Sequence, residues 1–200
     1  MQVKNAETEV ESNSNLMRED LDKSLKRSHI EPSSLSTFQR ILLTTDGTVT
    51  EILEAYSLEN INVVKLSEEL VSTITEIPVL NLSKGTKVIE RKIFLQGKIS
   101  RKNYLYAESI IVPERLDEKF QDALLKSETP IGKLWLQYRV ETFKEIVDTG
   151  KESIGKLADY FLVEKEDKML FRTYRVFNNR QPVMMITEKF PEKLFLNFVG

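Results

Sequence analysis

Two alternating stretches, each folded back at a short polar turn, constrain this chain more than anything else in it. Residues 87–96 place Ile89, Arg91, Ile93 and Leu95 on one side of an extended segment and Glu90 and Lys92 on the other. A polar turn over residues 97–103 leads into a second extended run at 104–112. The pattern recurs at residues 170–177 and 183–190, joined by Asn178-Asn179-Arg180-Gln181. Alternation with period two marks strands that cover one face, and paired strands joined by a short turn are hairpins, hence antiparallel. Further strands are expected at 62–70 and 140–147, for a total of about five or six.

Helical spacing falls between these runs. Phe38, Ile41 and Leu42 predict a helix over 37–45, ended by Asp46-Gly47. Thr48-Val49-Thr50-Glu51 then has the form of a capping box that opens a second helix with Ile52, Leu53 and Tyr56 on its apolar face. Residues 114–126 present Leu116, Phe120, Ala123 and Leu124, and Thr129-Pro130 starts a short helix that runs to Tyr138. A helical turn is expected at 157–161. The fold class is therefore α+β, an antiparallel sheet with helices before and between its strands, rather than a doubly wound parallel sheet. Residues 1–35 read as a mobile polar N-terminal tail, rich in serine and free of aromatic residues, and residues 36–200 as a single domain.

Composition removes whole classes of chemistry. Of 200 residues none is cysteine and one is histidine, which excludes thiolate sites and makes a histidine-built metal centre or a Ser-His-Asp triad untenable. That histidine, His29, lies in the polar tail and is expected to be solvated. Twenty-nine basic against 31 acidic side chains give a net charge of −2, so no nucleic-acid partner is expected. No apolar run reaches the roughly 18 residues of a membrane span, and the first residues lack the layout of a signal or transit peptide. A cytoplasmic, monomeric protein is the expectation.

Two charged residues stand on faces that are otherwise apolar. Arg91 lies between Ile89 and Ile93, and Glu188 lies in the alternation Met184, Ile186, Glu188, Phe190. A buried ion needs an opposite charge, hydrogen bonds or a ligand. Either the two pair with each other or with buried backbone, or both point into one pocket, Arg91 toward an anion and Glu188 toward a proton-bearing group. The amides near Val49 and Ile131, at the two helix starts, are further donors without intrahelical partners, with simple capping as the alternative. Arg172, Tyr174 and Arg175 fit a solvated strand face better than a nucleic-acid surface. Lys98, Arg101 and Lys102 fit an exposed turn, and Trp135 fits the core.

Four segments occur in an order that resembles the chorismate lyase (chorismate pyruvate-lyase) family, in particular its archaeal, cyanobacterial and plastid branch. They are Ile89-Glu90-Arg91-Lys92-Ile93-Phe94-Leu95, Ala107-Glu108-Ser109-Ile110-Ile111-Val112-Pro113, Thr129-Pro130-Ile131-Gly132, and Pro182 through Ile186-Thr187-Glu188-Lys189-Phe190-Pro191. The likeness spans residues 36–191. It implies an antiparallel sheet with helical flaps over a buried site, and conversion of chorismate to 4-hydroxybenzoate and pyruvate. It further implies no metal or redox cofactor, because aromatisation drives the reaction. Arg91 with the amides of Val49 and Ile131 would bind the ring carboxylate. Glu188 would contact the ring hydroxyl and serve as proton acceptor, a role that burial favours. The product would feed ubiquinone, plastoquinone or another phenolic compound, in the cytoplasm or, for a plastid-encoded chain, the stroma. Val49 stands where the best-known bacterial members have methionine, and the turn between Leu95 and Tyr104 is longer here. The competing expectation is a non-catalytic domain that binds an organic acid, related to the effector-binding half of bacterial transcription regulators. For that role the first 35 residues are too short and too acidic to form a winged helix.

Overall fold

The computed structural model describes residues 17–126 and 129–196. Among these, six strands form one antiparallel sheet: β1 Ile61–Ser72, β2 Lys87–Gly97, β3 Asn103–Ile111, β4 Phe143–Ser153, β5 Lys168–Asn178 and β6 Gln181–Pro191. The order across the sheet is β1-β2-β3-β6-β5-β4, so two three-stranded meanders meet where β3 pairs with β6. The helices are α1 Glu19–Arg27, α2 Thr37–Thr44, α3 Val49–Ser57, α4 Glu118–Lys126, α5 Ile131–Gln137 and α6 Ala158–Phe161. None among the described residues is long and apolar enough to cross a membrane.

The register carries one row of side chains across five strands. Arg91 pairs with Ser109, Ser109 with Ile186, Ile186 with Tyr174, and Tyr174 with Ile146. The next row runs from Ile93 through Ala107 and Glu188 to Arg172. Directly opposed residues share a face, so all of these point to the same side of the sheet. That side packs in two clusters. Leu25, Phe38, Leu42 and Leu53 lie against Leu95, Leu105 and Phe190. Phe120, Leu124, Leu134 and Trp135 lie against Tyr174, Val176 and Ile186. On the reverse side a smaller cluster joins Phe94, Tyr106 and Met169 to Ile154, Ala158 and Phe161. The β5–β6 hairpin turns on Asn179 and Arg180, both left-handed (φ 50° and 62°), the conformation that lets a two-residue turn follow the twist of its strands.

Three expectations need correction. The segment from Met17 to Leu35 is part of the fold rather than a mobile tail: Leu21, Leu25, Ile30 and Leu35 are buried, and α1 packs along β4. Residues 1–16 of the expected tail lie outside the described residues. His29 is exposed, just past the end of α1. Secondly, no capping box forms at Thr48. Its hydroxyl donates to the Glu51 carboxylate at 2.7 Å and leaves the first-turn amides uncapped. The box forms instead at Ser36, whose hydroxyl accepts from the Gln39 amide while the Gln39 side chain accepts from the Ser36 amide. Finally, β4 starts at Phe143 and extends to Ser153, later and farther than 140–147.

Candidate active site

Thr48 to Thr50 at the start of α3, and Ile131 and Gly132 at the start of α5, come down onto the covered face of the sheet and leave a cavity beneath them. Its floor is made by Ile93, Leu95, Leu105, Ala107 and Ile186, and Trp135 and Tyr174 add aromatic walls. Three charged side chains line it: Arg91, Glu188 and Lys144. The two helix starts touch so closely that a Cβ on Gly132 would overlap the Thr48 methyl group, which is why glycine stands there. The first intrahelical bonds run from Glu51 and Ile52 to the Thr48 carbonyl, and from Lys133 and Leu134 to that of Pro130. The amides of Val49, Thr50, Ile131 and Gly132 are thus those that a helix start leaves over.

Arg91 is 3% exposed, and its Nε lies 3.4 Å from Glu68 Oε2. That approach does not make a hydrogen bond: Arg91 Nε, Arg91 Nη2 and Glu68 Oε2 all lack a hydrogen-bond partner. Burial disfavours the guanidinium charge, and the Glu68 carboxylate offsets this only in part. Glu68 is itself shared, since its other oxygen accepts from Lys65 at 3.1 Å. A buried cation with donors to spare is an anion site in physical terms.

Glu188 is held quite differently. Arg172 Nε donates to one carboxylate oxygen at 2.8 Å and the Tyr174 hydroxyl to the other at 2.9 Å. Arg172 is locked in turn by the carbonyls of Leu43 and Thr45, at 3.2 and 2.8 Å. Burial, with the Glu188 charge beside it, pushes the Tyr174 phenol well up, so it stays a donor. The carboxylate is therefore fixed in orientation while it lines the cavity. Among the described residues no three His, Asp or Glu side chains gather as metal ligands.

All four residues singled out in the sequence line this one cavity: Arg91, Glu188, Val49 and Ile131. Arg91 and Glu188 do not pair with each other, which corrects that alternative; each has its own partner. Arg172 and Tyr174 are not on a solvated face, at 1% and 3% exposure. Arg172 sits between Leu170 and Tyr174 at strand spacing, the same signal that exposed Arg91, and could have been read the same way. Arg175 does lie toward solvent, paired with Glu145. Lys144 was missed: flanked by Phe143 and Glu145 it looks outward-facing, yet Phe143 is exposed and Lys144 buried.

Fold and site define a class, a small-molecule pocket on a single antiparallel sheet suited to an organic anion. The effector domain of PhnF from Mycobacterium smegmatis has a similar fold (TM-score 0.56, 10% identity, 74% of this chain and 90% of that one). The family model of Rv2949c-like chorismate pyruvate-lyases matches residues 43–197. Chorismate pyruvate-lyase of Mycobacterium leprae is 33% identical over 160 residues, 78% of this chain and 75% of that protein. Its counterpart from Mycobacterium tuberculosis strain H37Rv is 27% identical over 161 residues, 78% of this chain and 80% of that protein. The chain belongs to the Rv2949c-like chorismate pyruvate-lyase family.

Proposed function

We propose that the protein converts chorismate to 4-hydroxybenzoate and pyruvate. The observation that carries this reading is Arg91, a buried guanidinium with two nitrogens that donate to nothing, in a cavity that also holds the fixed carboxylate of Glu188. Arg91 binds the ring carboxylate, and the Val49 and Ile131 amides add neutral donors to the same group. Glu188 faces the opposite end of the ring and orients the 4-hydroxyl. It also accepts the proton from C4.

The electrons balance without water or a redox partner. The C4–H pair becomes the new ring double bond, and the C3–O pair leaves with the enolpyruvyl oxygen. The released enolpyruvate takes up a proton at its methylene carbon and becomes pyruvate. Aromatisation supplies the driving force. The site's part is to hold ring and base in line and to keep water out, through Trp135, Tyr174 and the aliphatic floor. We take the protein to act as a cytoplasmic monomer on a small molecule alone. Its product is a head-group precursor for quinones and other phenolic compounds.

The test is direct. Purified protein with chorismate should give 4-hydroxybenzoate, followed by its absorbance, and Glu188→Gln should lower kcat by about 100-fold or more, the range expected for loss of a general base. Absence of product from the unaltered protein overturns the reading. Saturable binding of 4-hydroxybenzoate without turnover would favour a non-catalytic effector-binding domain, in keeping with the PhnF likeness.

A further inference from the structure

Lys144 has no part in the chemistry so far, yet it is one of the three charged side chains that line the cavity. It is buried, and its ammonium makes a single hydrogen bond, to the Gly47 carbonyl at 2.9 Å. It also lies 5.4 Å from the ring centroids of both Trp135 and Tyr174. Among the described residues no carboxylate comes within ion-pair distance of its Nζ. Burial pulls the amine down, Glu188 and Asp46 favour its charge from farther off, and Arg172 opposes it. A buried ammonium left this way has two donors to give to an anion.

The position of that anion follows from the sheet. Arg91 is on β2 and Lys144 on β4, four strand spacings apart, or about 19 Å at roughly 4.8 Å each. Both side chains belong to the lining of the same cavity, Arg91 from its β2 side and Lys144 from its β4 side, so a ring bound between them meets a cation at either end. Chorismate carries two carboxylates, one on the ring and one on the enolpyruvyl arm, and Arg91 with the two amides serves only the first.

We propose that Lys144 is a substrate-binding residue that grips the carboxylate of the enolpyruvyl arm, the part that leaves as pyruvate. This rests on the chorismate reading above. Arg172 is not part of the cavity lining; its Nε and Nη1 are held by Glu188 and two carbonyls, and only its buried Nη2 lacks a partner. By neutralising the arm, Lys144 gives the site selectivity for a dianion, and it loses its second anion when pyruvate departs.

Two measurements test this. In the unaltered protein, 3-(carboxymethoxy)-4-hydroxybenzoate should bind at least tenfold more tightly than 4-hydroxy-3-methoxybenzoate, which has the same ring without the second carboxylate. In Lys144→Gln, that preference should vanish and the KM for chorismate should rise at least tenfold. Affinity for 4-hydroxybenzoate should stay within twofold, which also shows that the variant is folded, and Lys144→Arg should restore most of the preference. Equal affinity for the two ligands in the unaltered protein overturns the proposal, as does a Gln variant that weakens every ligand alike. If the unaltered protein turns over chorismate but ignores the second carboxylate, only the role of Lys144 falls. If it does not turn over chorismate, both readings fall.

Discussion

Burying a guanidinium with two donor nitrogens unused disfavours folding unless a ligand later supplies the acceptors. Arg91 is in that state, with Glu68 near enough to attract it but not bonded to it. Activity and stability should therefore part company at this residue. Arg91→Met combined with Glu68→Met removes the whole ion pair at similar volume, while Lys65 keeps the Leu125 carbonyl. We expect this double variant to be more stable by about 1–2 kcal/mol in urea titrations, within the range seen when buried ion pairs give way to apolar side chains. Binding of 4-hydroxybenzoate should be lost. A variant that is destabilised yet still binds would contradict the assignment. Arg91 and Glu188 were legible in the sequence because each breaks an apolar alternation. Lys144 was not, because β4 begins with an exposed Phe143 that inverts the phase, and hydropathy alone reads that strand with its faces exchanged.

The elements that roof the cavity are two short helices whose first turns touch, and their contact is set by the missing side chain of Gly132 against Thr48. The Thr-x-x-Glu pattern misled at this point: Thr48 bonds the Glu51 side chain instead of capping the helix, and Val49 and Thr50 of its first turn line the cavity. The hairpins, by contrast, were legible almost to the residue, since alternation and turn residues agree over 87–112 and 168–191. A methyl group at position 132 should push the helix starts apart. Gly132→Ala is expected to cost about 1–3 kcal/mol of stability, as overpacking does, and to raise the KM for chorismate at least tenfold. Removing the opposing methyl with Thr48→Ser in the same chain should recover part of both, although the serine Cβ stays close. Unchanged melting temperature and KM in Gly132→Ala would show that the close contact does not set the roof.

At the scale of the whole molecule, the N-terminal segment completes the sheet rather than trailing from it. β4 is an edge strand, and edges with unpaired backbone groups need cover. The side chains of α1 and its cap provide it: Asp20 accepts from the Ile146 amide at 2.8 Å, Arg18 donates to the Lys144 carbonyl at 2.6 Å, and Arg27 donates to the Val147 carbonyl at 2.8 Å. Ser24 and Thr149 join hydroxyls at 3.0 Å beneath them. The polar composition that made residues 1–35 look like a tail is, over Arg18 to Arg27, the set of groups that an edge strand requires; only Leu21 and Leu25 betray the buried side. The pH dependence follows from Asp20. Burial alone would push its carboxyl up, but the Ile146 amide, the Arg18 guanidinium and the Leu21 amide outweigh this and hold it below the usual value of 3.8. A carboxyl lowered in the folded state contributes stability that is fully present above the unfolded pKa and is lost as pH falls through the folded one. Asp20→Asn should therefore destabilise the protein by about 1 kcal/mol at pH 7, as expected for loss of charge-assisted hydrogen bonds. In urea titrations the gap between variant and parent should hold steady down to about pH 5, then close steadily below pH 4. A gap of the same size at pH 3 would mean that Asp20 acts through packing and not through its charge. Because the same strand carries Lys144, loosening α1 should also weaken chorismate binding, while deeply packed residues on β2 and β3 are left in place.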